Sequence, residues 1–238
     1  MKDQKRFLTA EWKNLVMLNY AVDASLLERF VPAGTELDSF EGNTYISLVG
    51  FEFNRTSVFG IPVPFHQAFE EVNLRFYVRR LSKRGVAFIR ELVPKFAVTV
   101  VARLAFSENY SCAPMSHRIE CRAASDIVEA EYAWGSESDR CLMRIEAEGP
   151  SLLPVEDSAS QFITEHYWGY AAQPGGGCLE YEVQHARWRI KHAKNAKFSG
   201  NVAGLYGVEI ANVLMRDPDS AFLADGSPVT VMRGTRIN

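Results

Sequence analysis

The sequence predicts a mainly β (α+β) protein whose antiparallel strands close into a barrel with a few flanking helices. Three observations lead there. About ten segments carry strand periodicity, against three or four short helical ones. Several connections are so short that consecutive strands must be antiparallel neighbours. A chain of 238 residues that is 47% hydrophobic suits one barrel-sized core over residues 1–238. Closure is the economical way to leave no strand edge unpaired.

The elements follow in order. Phe7 to Tyr20 reads as an opening strand, weighted by Trp12 and Leu15 to Leu18. Asp23 is a helix N-cap before Ala24 to Phe30, which stops at Val31-Pro32-Ala33-Gly34. Tyr45 to Phe53 is a strand with Glu52 set among apolar residues, either paired and buried or on a solvent face. Gly60, Pro62 and Pro64 make Phe59 to Phe65 a loop. Glu71 to Arg80 alternates cleanly, with Val72, Leu74, Phe76 and Val78 on one face. Glu71, Asn73, Arg75 and Tyr77 stand on the other, which faces either water or a lined cavity. Met115 to Ala124, Ile127 to Trp134 and Arg140 to Glu148 form a meander. Asp157 or Ser158 caps a helical turn reaching Phe162, and Pro174 to Gly177 turns a hairpin. A last helix, Val202 to Leu214, precedes a last hairpin around Asp225-Gly226.

The chain is organised around Arg84 to His117. Val86 to Ile89 is a buried strand, followed by Arg90-Glu91, Pro94-Lys95 and a helical apolar pattern at Ala97, Val98, Val101, Ala102 and Ala105. Pro94 suits the first turn of a helix, which places Lys95 at the positive end of the helix dipole. Beside Arg90, and walled by Phe88, Leu92 and Phe96, Lys95 is expected to lose its proton easily and act as an amine nucleophile. A surface lysine beside a structural Arg–Glu pair is the alternative.

Composition excludes several classes. A formal net charge of −3, without a basic patch, gives no case for nucleic acid. No apolar run approaches membrane-spanning length and the first residues carry no signal core, so no membrane partner is expected. Cys112, Cys121, Cys141 and Cys178 are singly spaced and read as reduced thiols of a cytoplasmic protein. No metal is expected: His166 and His185 face one another across a hairpin, but Glu165 points to the opposite strand face from His166.

Several phrases together carry a family resemblance: Pro32-Ala33-Gly34, Glu71-Val72-Asn73-Leu74-Arg75, Phe88-Ile89-Arg90-Glu91, Thr164-Glu165-His166-Tyr167, His185-Ala186-Arg187-Trp188 and Ala224-Asp225-Gly226-Ser227. Over nearly its whole length the chain resembles the YqjF-like family of the acetoacetate-decarboxylase-like superfamily. The resemblance implies a closed cone-shaped antiparallel β-barrel with an internal cavity. It also implies cofactor-free chemistry, in which a lysine forms a Schiff base with an oxo acid. The decarboxylase motif, a Glu followed by Pro-Lys-Lys, is matched in part by Glu91 to Lys95. Lys95 takes the place of the first lysine; the spacing is shorter, and Phe96 replaces the second.

The catalytic candidates are thus Lys95 as the amine, Arg90 to tune it, and Glu91 and Glu71 to move protons. The substrate-binding candidates are Arg75, Tyr77 and His117. The expected partner is a small organic acid or other small ligand, and the sequence leaves room for a homo-oligomer. The missing second lysine favours a different class, a barrel that binds a small organic ligand without turning it over. An inherited cavity filled by side chains would instead make the protein an interaction module.

Overall fold

Long strands with one apolar row and one mixed row dominate the molecule. The computed structural model describes residues 5–106, 108–122 and 126–237. The strands are β1 (Arg6–Val22), β2 (Glu36–Leu37), β3 (Thr44–Val58), β4 (Ile61–Pro62), β5 (Phe69–Arg80), β6 (Lys83–Val93), β7 (Tyr110–Cys112), β8 (Met115–Arg122), β9 (Ile127–Trp134), β10 (Cys141–Glu148), β11 (Trp168–Ala172), β12 (Cys178–His185), β13 (Ile190–Ser199), β14 (Ser220–Met232) and β15 (Thr235–Ile237). The helices are α1 (Phe96–Phe106), α2 (Ala159–Thr164), α3 (Ala203–Tyr206) and α4 (Val208–Leu214).

Strand pairing runs β12-β11-β6-β5-β3-β1-β14, and β14 pairs again with β12, so the hydrogen-bonded path returns to its first strand. From β14 the sheet continues through β13, β10, β9 and β8. Pairing is antiparallel except that β6 runs parallel to both β7 and β11. Two of the three core clusters lie on opposite faces of β5. Val72, Leu74, Phe76 and Val78 of β5 share one cluster with Leu48 of β3, Ala130 and Tyr132 of β9, and Met143 and Ile145 of β10. Burying each of these large side chains contributes roughly 1.5–3 kcal/mol. The opposite face of β5 lies with Val49, Phe51, Tyr110, Phe162 and Trp188 in a second cluster, where the cavity opens.

One irregularity on β6 positions the site. Leu74 pairs with Arg90 and Arg75 pairs with Phe88, leaving Ile89 as the extra residue of a bulge. A bulge shifts the in–out phase of the strand. Phe88 and Glu91 therefore both face the cavity, whereas Ala87, Ile89 and Leu92 join the other core.

Several expectations are corrected. The final hairpin does not form: β14 is one strand through Asp225-Gly226. Gly226, with φ +82°, packs so closely that a Cβ would stand 2.0 Å from the Trp12 carbonyl oxygen; it fits the strand against β1 instead of turning it. The last helix is broken into α3 and α4 by Gly207 at φ +86°. Ala24 to Phe30 forms two 3₁₀ turns, with Asp23 capping the Ser25 N–H as expected. Ile61–Pro62 adds a two-residue strand inside the predicted loop. Arg187 to Lys197, which holds five Lys or Arg, contributes most of β13. The turn expected at Ala124 and Ser125 lies outside the described residues.

Candidate functional site

The inward row of β5 builds one wall of a cavity of about 180 Å³. Glu71, Asn73 and Arg75 line it, buried among Trp12, Phe51, Phe53, Phe69 and Trp188. The sequence left open whether this row faces water or a cavity; burial of all three side chains settles it. Glu91 stands directly across from Asn73 in the β5–β6 pairing, and Tyr110 pairs in turn with Glu91. Glu108 completes a group of three carboxyls.

Two tyrosines tie the carboxyls together. Tyr110 donates to Glu71 Oε2 at 3.0 Å, while Asn73 Nδ2 donates to Glu71 Oε1 at 2.9 Å. Tyr181 donates to Glu108. Gly169 makes room for that second tyrosine, because a Cβ there would lie 2.1 Å from Tyr181 Cζ. Burial pushes Glu71 up to about 7, against the opposing effect of its Asn73 and Tyr110 hydrogen bonds and of Arg75. Burial, with a smaller contribution from the Glu71 charge, raises Glu108 to about 8. Glu91 is held well above the usual carboxylate range by burial and then by Glu108 and Glu71.

The other end of the row is basic. Arg75 Nη2 donates to the Ile163 carbonyl at 3.2 Å, and Arg75 Nε has no partner. His166 lies beside it, held well below its ordinary value by burial and then by Arg75 and Arg84. Neither ring nitrogen of His166 makes a well-formed hydrogen bond; the nearby Ile163 carbonyl is taken by Arg75. Tyr77 backs His166 with ring centroids 4.7 Å apart, and it hydrogen-bonds to Ser47, which donates to Asn19. Among the described residues, five buried, cavity-lining ones thus carry unmet polar atoms: Thr56 Oγ1, Asn73 Oδ1, Arg75 Nε, Glu91 Oε2 and both His166 nitrogens. Each unmet group costs about 1–3 kcal/mol unless water or a ligand meets it.

The remaining sequence-named residues stand elsewhere. Lys95 is half-buried in the turn between β6 and α1 and is not part of the cavity wall, although Ala97 and Val98 just after it are. Arg90 Nη1 donates to Ser111 at 2.9 Å, away from the cavity, and its charge is felt by Tyr206 of α3. His117 sits outside the cavity between Glu70 Oε1 at 2.9 Å and Glu52 Oε2 at 3.4 Å. Glu52, half-buried, also accepts from Asn14. Glu108 and Tyr110 were not foreseen, since a three-residue strand offers no periodicity to read. Among the described residues, no group of three His, Cys, Asp or Glu is placed to hold a metal ion. No helix among them is long and apolar enough to cross a membrane.

Comparison with known proteins agrees with this architecture. A YqjF protein of Bacillus subtilis (strain 168) is 26% identical over 204 residues, covering 84% of this chain and 81% of its own. Solved structures share the fold at low identity. An acetoacetate decarboxylase-like enzyme from Sphingomonas wittichii RW1 matches with TM-score 0.73 and 10% identity, over 98% of this chain and 94% of its own. Acetoacetate decarboxylase from Legionella pneumophila gives TM-score 0.71 and 11% identity, over 98% and 87%. The enduracididine biosynthesis enzyme MppR, complexed with pyruvate, gives 0.72 and 12%, over 100% and 92%. These likenesses establish an acetoacetate-decarboxylase-like fold. Residues 9–228 match the model of DUF2071, described as "Uncharacterized conserved protein", and the chain belongs to that family.

Proposed function

We propose that this chain, a single domain over residues 1–238, is a small-molecule protein whose cavity binds a small organic acid. The observation that carries the reading is the pairing of buried, unmet donors at Arg75 and His166 with a mainly apolar wall. A carboxylate placed there would meet Arg75 Nε in a charge-assisted hydrogen bond, which is stronger than a neutral one. The return of the strand path to β12 supports the closed, cone-shaped barrel that would enclose such a ligand. Binding without turnover follows most directly from these residues. The ionisable groups that face the ligand include carboxyls, an arginine and the imidazoles of His166 and His185, which burial keeps neutral, with no amine among the described residues of the wall.

A second reading keeps imine chemistry. Lys95 directly precedes α1, whose Ala97, Val98, Val101 and Ala102 line the cavity, so a small movement of that turn would bring its amine inward. Glu91 and Glu71 would then move protons; MppR, a protein of like fold, is complexed with pyruvate, an oxo acid. Arg90 would act on Lys95 only through the same rearrangement, and His117 would take no part from its present place.

Thermal-shift measurements with pyruvate, acetoacetate and longer 2-oxo and 3-oxo acids test both readings. A ligand bound only by the native state raises Tm. Stabilisation that Arg75→Met abolishes, without a borohydride-trapped adduct, supports binding. An adduct mapped to Lys95 supports the imine reading. No stabilisation by any acid sinks the first reading.

A further inference from the structure

We propose that the carboxyl end of the cavity is a second pole, built for a cationic nitrogen, so that the ligand carries an anionic group at one end and an ammonium- or amidinium-type group at the other. The inference rests on the organic-acid reading and adds what lies opposite the acid.

The ionisable groups differ between the two ends of the cavity. Near Arg75 and His166 an Arg75 donor and two imidazole nitrogens stand unused; near Glu71 the amide oxygen Asn73 Oδ1 and the carboxyl oxygen Glu91 Oε2 stand unused, and Trp12 Nε1 and Thr56 Oγ1 are unmet elsewhere on the wall. Glu91 is only 2% exposed, Asn73 3% and Arg75 8%, so little of each is open to solvent. Glu71 and Arg75 are four residues apart on one strand, a Cα separation of about 13 Å. A lone metal ion does not fit the acidic end, since no three ligating residues among those described are placed to hold one. A nitrogen cation with several N–H donors does, because it reaches acceptors that are spread apart. Its charge would also offset the mutual repulsion of Glu71, Glu91 and Glu108, which burial in a weakly screened site makes costly.

The titration of the carboxyls adds a dependence on pH. The groups facing the pole are Glu71 and Arg75 from β5, Glu91 from β6, Glu108 and Tyr110 before and on β7, and Tyr181 from β12. Glu71 and Glu108 lose protons near pH 7 and 8. Preference for a cation therefore grows as pH rises through that interval.

The experiment measures Kd by calorimetry for butanoate, pentanoate and hexanoate and for their ω-amino counterparts, at pH 6 and pH 9. The expected result is that at least one amino acid binds tenfold or more tightly than its unsubstituted partner at pH 9, with a smaller advantage at pH 6. Glu91→Gln should cut that advantage at least fivefold; Glu108→Gln serves the same purpose should the first variant not fold. Acids that bind through Arg75 without any amino advantage would overturn the second pole and leave the organic-acid reading standing. No binding by any member of either series would overturn both.

Discussion

Glu91 of β6 lies directly across from Asn73 of β5, and it does so because Ile89 is bulged out of the pairing two residues earlier. Strict alternation from Val86 would have turned Arg90 inward and Glu91 outward. Deleting Ile89 should make the β5–β6 pairing regular, with Phe88 and Glu91 still facing the cavity and Arg90 still turned away. Such a variant should lose about 1.5–3 kcal/mol, the burial of one large apolar side chain. Urea unfolding against the parent measures the loss. A deletion variant that fails to fold, or loses far more than this, would contradict the role given to the bulge.

Stability should fall as pH rises through the neutral range. In the folded chain Glu71 and Glu108 titrate near 7 and 8, whereas their ordinary value is 4.5. Between about pH 4.5 and these values the native state holds protons that the unfolded chain has released. The contribution is therefore fully present below the unfolded value and lost as pH rises through 7 and 8. Urea unfolding at pH 6 and pH 9 should differ by a few kcal/mol, since each tenfold difference in proton affinity between folded and unfolded chain corresponds to about 1.4 kcal/mol. Glu108→Gln should flatten the curve. A parent chain more stable at pH 9 than at pH 6 would speak against the buried cluster.

The carboxyls should report on one another. The Glu71 charge helps raise Glu108, so Glu71→Gln should lower the Glu108 midpoint from about 8. Arg75 opposes the rise of Glu71, so Arg75→Met should move Glu71 above about 7. Carbon-detected NMR titration of the glutamate carboxyls reads both changes.

Much of this was legible beforehand. The clean alternation of Glu71 to Arg80 marked β5 and its polar row, and the short turns marked the β8–β9–β10 meander. Arg75, Glu71 and Glu91 were named from residue type and motif, and all three reach the cavity. What escaped was set by long-range geometry. The Ile89 bulge depends on how β5 and β6 pair, and no local pattern reveals it; Arg90 is turned away for that reason. Glu108 and Tyr110 gain meaning only where the chain returns beside β6. Gly226 follows Asp225 in a pair that commonly turns a hairpin, yet contact with Trp12 holds it within a strand.

Gly169→Ala should uncouple Tyr181 from Glu108. The new methyl would overlap the phenol ring, forcing Tyr181 away from the carboxyl. Overpacking of this kind costs about 1–3 kcal/mol, so Tm should drop by several degrees. An organic acid held at Arg75 should still bind, because that end of the cavity is not disturbed. A calorimetric scan and one ligand titration on the variant check both parts.

The central claim is that the cavity receives an organic acid at Arg75, and a crystal structure of the chain soaked with 5-aminopentanoate tests it most directly. The account predicts the carboxylate within hydrogen-bonding distance of Arg75 Nε, beside His166, with the chain running toward Glu91. The acid bound elsewhere on the protein, with the cavity filled only by water, would contradict it.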